Sequence, residues 1–228
     1  MTAILPSTSI REFQAFVNDV YGIPNERHFE LGEMLNNVQR FAARGIKGIR
    51  KKDKEKTKTN LIISLSFFVS VLNRLKIDLE KEVWNRFPYV CSYCNSCPCV
   101  CRETKPDKRE KISVDNSKKP ESISGFQKMF LRTYPPETRT IEHAGIHLAE
   151  ESGEFAEALW AYRSSRSEED FTEICFEAAD YFSCLIGVFN SLEIDLAEEL
   201  SKFYPNNCHA CNNSPCSCSY EVIKRFKS

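Results

Sequence analysis

Glu177 and Asp180 are the only charged residues in ICFEAADYFSCLIGVFNSL, from Ile174. A stretch this apolar all round predicts a buried helix. A spacing of three puts both carboxylates on one face of it. Two ionised carboxylates there would each lose on the order of several kcal/mol to desolvation and would repel one another. They must take up protons or meet a cation. Upstream, in HLAEESGEFAEALWAY from His147, the residues Leu148, Phe155, Leu159 and Tyr162 form one helical stripe. Glu151 falls at the edge of that stripe and Glu154 beside it, while Glu150 and Glu157 point outward. Carboxylates at 151, 154, 177 and 180 that converge would make a hard, all-oxygen site suited to Mg²⁺ or Mn²⁺. Acids on a solvated face, paired with Lys or Arg, are the competing reading. It suits Glu150 and Glu157 and fails for Glu177 and Asp180, whose helix offers no basic residue. Gly153 could admit a close approach to the upstream helix.

A second chemistry lies in the cysteines. Nine of the eleven fall in two short clusters, each containing C-x2-C-x4-C-x-C: Cys91, Cys94, Cys99 and Cys101, then Cys208, Cys211, Cys216 and Cys218. Four thiolates within eleven residues, among Asn and Ser, predict a tetrahedral Cys₄ zinc site in each cluster, two zinc ions per chain. An iron–sulfur cluster is the alternative. A closed Cys₄ site has no open position, so its expected role is structural. Cys97 is extra, since Ser214 stands in its place in the other cluster. Cys175 and Cys184 are expected to fill space in the buried helix. His143 and His147, four apart, are expected to play an ordinary polar role rather than to bind metal.

These features sit on a duplication. A shift of 117 positions carries Ile77-Asp78-Leu79 onto Ile194-Asp195-Leu196 and the first four cysteines onto the second four. A shift of 113 carries Ile10, Phe13, Gln14 and Tyr21 onto Ile123, Phe126, Gln127 and Tyr134. The expected domains are therefore 1–101 and 122–228, each a helical bundle closed by a cysteine loop, with a charged, solvated linker at 102–121. Apolar spacing throughout is helical, which predicts an all-α fold. Helices are expected near 8–20, 26–43, 58–75 and 77–86, and near 122–133, 142–163, 168–191 and 194–203. Ser9 and Ser122 are candidate N-caps. The charge-rich run from Arg50 reads as a helix–helix connection. The first repeat departs from this pattern: Phe29-Glu30-Leu31-Gly32-Glu33 keeps two acids where the second has three, Asn60 and Ile63 stand for Glu177 and Asp180, and LIISLSFFVSVL carries no charge.

Glu150-Glu151-x-x-Glu154 followed by Glu177-x-x-Asp180 resembles the EExxE…ExxD signature of the all-α nucleoside triphosphate pyrophosphohydrolases, in the MazG-like branch. The resemblance covers the second half, with a faded version over the first. It implies tandem MazG-like bundles and an Mg²⁺-dependent release of nucleoside monophosphate and pyrophosphate from a nucleoside triphosphate. It also implies metal ligation by Glu151, Glu154, Glu177 and Asp180, with an outer role for Glu150. Asn190 and Lys202 are candidate substrate contacts, Asn190 equally a structural amide. Relatives commonly pair such units, so the resemblance implies a pseudo-dimer within one chain, open to further self-association. The first repeat would be catalytically dead and would wall the pocket.

A formal net charge of −1 gives no bulk attraction to nucleic acid. The start MTAILPSTSI lacks a signal-peptide pattern, and the uncharged run Asn60 to Asn73 is too short to span a bilayer. A cytoplasmic protein without membrane contact is expected. The rival from another class is a non-catalytic adaptor whose zinc loops bind protein or nucleic acid, with the acids as relics. The intact acid set of the second repeat argues against it.

Overall fold

The computed structural model describes residues 3–225 apart from 105, 110 and 139. Its helices are α1 (Ile10–His28), α2 (Leu31–Arg50), α3 (Lys54–Leu75), α4 (Leu79–Arg86), α5 (Ile123–Thr133), α6 (Ile141–Ser165), α7 (Glu168–Ser191), α8 (Leu196–Phe203) and α9 (Tyr220–Arg225), with two 3₁₀ turns. No strand occurs among the described residues, in line with the helical spacing. No single described helix is long and apolar enough to cross a membrane.

The helix starts follow from side chains that satisfy first-turn N–H groups. Ser9 opens α1 in a reciprocal capping box with Glu12, and Ser122 opens α5 by accepting from the Gly125 N–H, as their positions predict. Asp53 caps α3, Thr140 caps α6 and Ser167 caps α7. Because Asp53 provides a cap, the charge-rich run after Arg50 is mostly helical, and the connection shrinks to residues 51–53. The start of α7 carries Glu168, Glu169 and Asp170 at the positive end of the helix dipole.

Two compact units form, and they cut across the sequence repeats. One consists of Met1–Asp78 with Ala197–Ser228, the other of Leu79–Leu196. The domains expected at 1–101 and 122–228 follow the duplication; the units instead exchange the last helix and cysteine loop of each repeat. In the first unit, α8 and its loop pack on α1 and α3. Tyr204 stacks among Phe13, Phe16 and Tyr21 and hydrogen-bonds Ser66 (2.5 Å), while Lys58 pairs with Glu199 (2.8 Å). In the second unit, α4 and its loop pack on α5 and α7. Phe87 stands edge-on to Phe130 and Tyr134. The Cys99 N–H donates to the Thr133 carbonyl (2.8 Å), and in the first unit the Cys216 N–H donates to Val20 (2.7 Å). These two bonds join equivalent residues under the two shifts, so the exchange is reciprocal. Each loop thereby meets the same kind of partner in the repeat it joins, so the exchange forfeits neither bond.

The linker end is not purely solvated. Asn116 accepts from the Trp84 indole (3.0 Å), and Lys119 neutralises buried Glu80 (2.5 Å).

Candidate metal and acid site

In the second unit, α6 supplies Glu151 and α7 supplies Glu177 and Asp180, and one oxygen of each lies within 4.8 Å of the others. Glu177 and Asp180 are buried at 8% and 9% exposure on a helix whose other buried residues include Ile174, Ala178, Tyr181, Phe182 and Leu185. Their three-residue spacing places them on one face, as the sequence predicts. Oε2 of Glu151 and Oε2 of Glu177 are buried and accept no hydrogen bond from the described residues. Burial, then the charges of Asp180 and Glu154, push Glu151 up to about 8 and Glu177 up to about 7. Burial also pushes Asp180 above the usual carboxylate range, with Arg86 pulling against it.

Arg86 is the residue that sequence reasoning missed. It comes from α4, at the end of the first repeat, and grips Asp180 with two bonds: Nε to Oδ1 at 3.1 Å and Nη2 to Oδ2 at 2.6 Å. Both partners are buried, and the guanidinium also stacks 4.6 Å from the Phe176 ring centre. A fork of this kind is a strong charge-assisted contact and needs the ionised carboxylate. The inference that neither buried acid of α7 has a protein cation therefore holds for Glu177 and fails for Asp180, because the cation comes from another helix. A signal was present: Arg86 aligns with Phe203 under the 117 shift, a charge at a position otherwise apolar.

The other candidates divide clearly. Glu154 is exposed one turn beyond Glu151 and lies outside the three-acid cluster, although its charge reaches Glu151 and Glu177. Glu150 faces solvent, 3.3 Å from Nδ1 of His147. His143 and His147 meet each other at 3.2 Å. Gly153 faces open space, with nothing within 4 Å of an added Cβ, so no protein group makes the close approach. Asn190 makes a structural hydrogen bond, one of the two roles expected of it. It donates to the Gln127 carbonyl (3.3 Å) while Gln127 Nε2 donates to Ile194 (2.7 Å). Asn73, Gln14 and Ile77 make the same lock in the first repeat, at 3.0 and 2.6 Å. Lys202 belongs to the other compact unit and pairs there with Glu199 (2.8 Å).

The first unit shows what the fold becomes without counterparts of Glu177 and Asp180. Glu30 and Glu33 are spent on a capping box at the start of α2. Asn60 satisfies itself against the Lys56 carbonyl (2.6 Å). Ile63, the counterpart of Asp180, lines an apolar cavity of about 80 Å³ with Tyr21, Phe41, Phe67 and Tyr204.

Both cysteine clusters converge. Sulfur separations are 3.7 Å for Cys91–Cys101, 3.9 Å for Cys94–Cys99, 3.9 Å for Cys208–Cys218 and 3.8 Å for Cys211–Cys216, with no disulfide. Corners of a tetrahedron around an ion bound at about 2.3 Å stand about 3.8 Å apart. Each cluster can hold a tetrahedral metal ion. Against burial, backbone donors at Val100 and Ser96 draw the Cys94 thiol down to about 6. The hydrogen bond from Cys216 draws Cys208 down to about 4. Cys97 stays outside its cluster, exposed and 3.9 Å from the Thr133 hydroxyl.

Comparison of the chain with protein-family models, curated proteins and solved structures returned no match.

Two predictions arise here. Glu151 and Glu177 hold protons more tightly folded than unfolded, where the reference value is 4.5. The metal-free protein therefore loses stability as pH rises from about 4.5 through about 8, and the loss is complete above that. Thermal melts at about pH 6 and about pH 9 should show the lower Tm at the higher pH, and Mn²⁺ should narrow the gap. Separately, Cys91→Ser should remove one metal ion per chain and lower the Tm of the acid-bearing unit by on the order of 10 °C. Metal content by mass and calorimetry check both effects.

Proposed function

We propose that this chain is a Mg²⁺- or Mn²⁺-dependent nucleoside triphosphate pyrophosphohydrolase of the MazG-like all-α type, with structural zinc in both cysteine loops. The observation that carries the reading is the pair of buried, unpartnered oxygens on Glu151 and Glu177 beside Asp180. Buried polar atoms without partners are rare and mark a missing water or ion. All-oxygen donors of this charge suit a hard divalent cation. Glu151, Glu177 and Asp180 would hold it. Bound there, the cation supplies a Lewis acid for phosphoryl oxygens.

The chain's own groups do the rest. Glu154, exposed beside the cluster, orients the attacking water and accepts its proton. The open face at Gly153 leaves room for the polyphosphate. Water adds to the α-phosphorus, the bond to the bridging oxygen breaks, and the products are nucleoside monophosphate and pyrophosphate.

A panel of canonical and modified nucleoside triphosphates with Mg²⁺, assayed for pyrophosphate release, tests this. Wild type should turn over at least one of them, and Asp180→Asn should lose about 10²-fold or more. Equal rates for the two proteins on every substrate would discard the enzyme reading in favour of an adaptor. Inorganic phosphate without pyrophosphate would place the cut elsewhere.

A further inference from the structure

We infer that Arg86 is an internal stand-in cation: it holds Asp180 while the site is without metal, and moves to the triphosphate once a divalent ion is bound. The inference rests on the hydrolase reading. Its basis is how unevenly the three acids are served. Asp180 has both oxygens engaged by Nε and Nη2 of Arg86, whereas Glu151 and Glu177 each keep one buried oxygen with no partner.

Charge counting gives the direction of exchange. Three carboxylates and one guanidinium sum to −2 when all are ionised, which a divalent cation brings to zero. A triphosphate then adds several negative charges at the same place, and a guanidinium already within reach is the group that can meet them. The same guanidinium opposes the cation beforehand, because both compete for Asp180. Arg86 also stacks on Phe176, which is 37% exposed, so the guanidinium has an aromatic partner that does not depend on Asp180. The first unit supports a coupled design. There, Phe203 replaces Arg86 where Ile63 replaces Asp180, so arginine and acid are present together or absent together. Arg86 thus acts as a positioning residue for Asp180 in one state and as a phosphate contact in the other.

The test uses the full-length zinc-loaded protein and Mn²⁺ binding followed by electron paramagnetic resonance, with and without a non-hydrolysable triphosphate analogue. Arg86→Gln should bind Mn²⁺ alone about 10-fold or more tightly than wild type, and the Mn²⁺-loaded variant should bind the analogue about 10-fold or more weakly. Arg86→Lys keeps the charge and loses the fork, so it should fall between them. If Arg86→Gln folds only when Mn²⁺ is present, restored helical circular dichroism on Mn²⁺ addition supports the same exchange. Mn²⁺ binding that is unchanged or weaker in both variants would overturn the role of Arg86 alone. No Mn²⁺ binding to wild type or to either variant would overturn the hydrolase reading, and this inference with it.

Discussion

Glu177→Gln should give a protein that is inactive yet harder to melt. Glutamine keeps the shape of the side chain and can donate its amide N–H to Asp180 or Glu151. It removes one of the acids crowded within 4.8 Å. In the metal-free state that relieves repulsion around a carboxyl held up at about 7 by burial and by Asp180 and Glu154. At about pH 8, where the wild-type carboxyl is largely ionised, the Tm should rise by on the order of a few degrees. Turnover should fall by about 10³-fold, the scale of losing a group that places charge at the reacting phosphate. Melting curves and pyrophosphate release on one preparation check both. A variant that is both active and destabilised would mean that Glu177 serves the fold rather than the site.

The second large effect concerns which piece of the chain carries the site. Residues 79–196 include α4, the first cysteine loop and α5 to α7, hence Arg86, Glu151, Glu177 and Asp180 on one continuous segment. This fragment should fold cooperatively with one metal ion in Cys91, Cys94, Cys99 and Cys101. The fragment 122–228, which follows the sequence repeat, lacks α4 and the Thr133-bonded loop. With α8 directed away from its own bundle as in the full chain, it fills that place by lending α8 to a second copy, which brings Phe203 where Arg86 belongs. It should therefore be a dimer or an aggregate, with turnover down by about 10²-fold or more for loss of a charge-assisted fork. Sedimentation and rate measurements on both fragments decide this. A monomeric 122–228 fragment with full turnover would show that the exchange has no consequence for the site.

That contrast also marks where sequence reasoning works and where it stops. Helical periodicity and the capping residues Ser9 and Ser122 are local properties of the chain; they place the helices of the second repeat within two residues, whereas α1 and α2 run on to His28 and Arg50, well past the expected ends at 20 and 43. Convergence of Glu151, Glu177 and Asp180 is legible for the same reason: three-residue spacing and an apolar background define an inward face. The exchange is not legible. Thr133 and Val20 offer equivalent carbonyls to Cys99 and Cys216, so swapped and unswapped pairings present the same local pattern. Arg86 is hidden by that same fact, since it lies ninety-four positions from Asp180 in the other repeat. Asn190 was a candidate on both functional and structural grounds. Its match with Asn73 in the first repeat shows the structural role. Glu154 shares the helix of Glu151 but sits where α6 turns to solvent, which is why spacing alone overstated the cluster by one acid.

The most direct measurement is anomalous diffraction at the manganese edge from crystals of the full chain grown with Mn²⁺. A single peak bounded by the carboxylates of Glu151, Glu177 and Asp180 is the predicted result, at about 2.1–2.2 Å from their oxygens. Density with no peak there, and with Glu151 and Glu177 hydrogen-bonded to each other as acids, would contradict the claim that these side chains meet to hold a divalent ion.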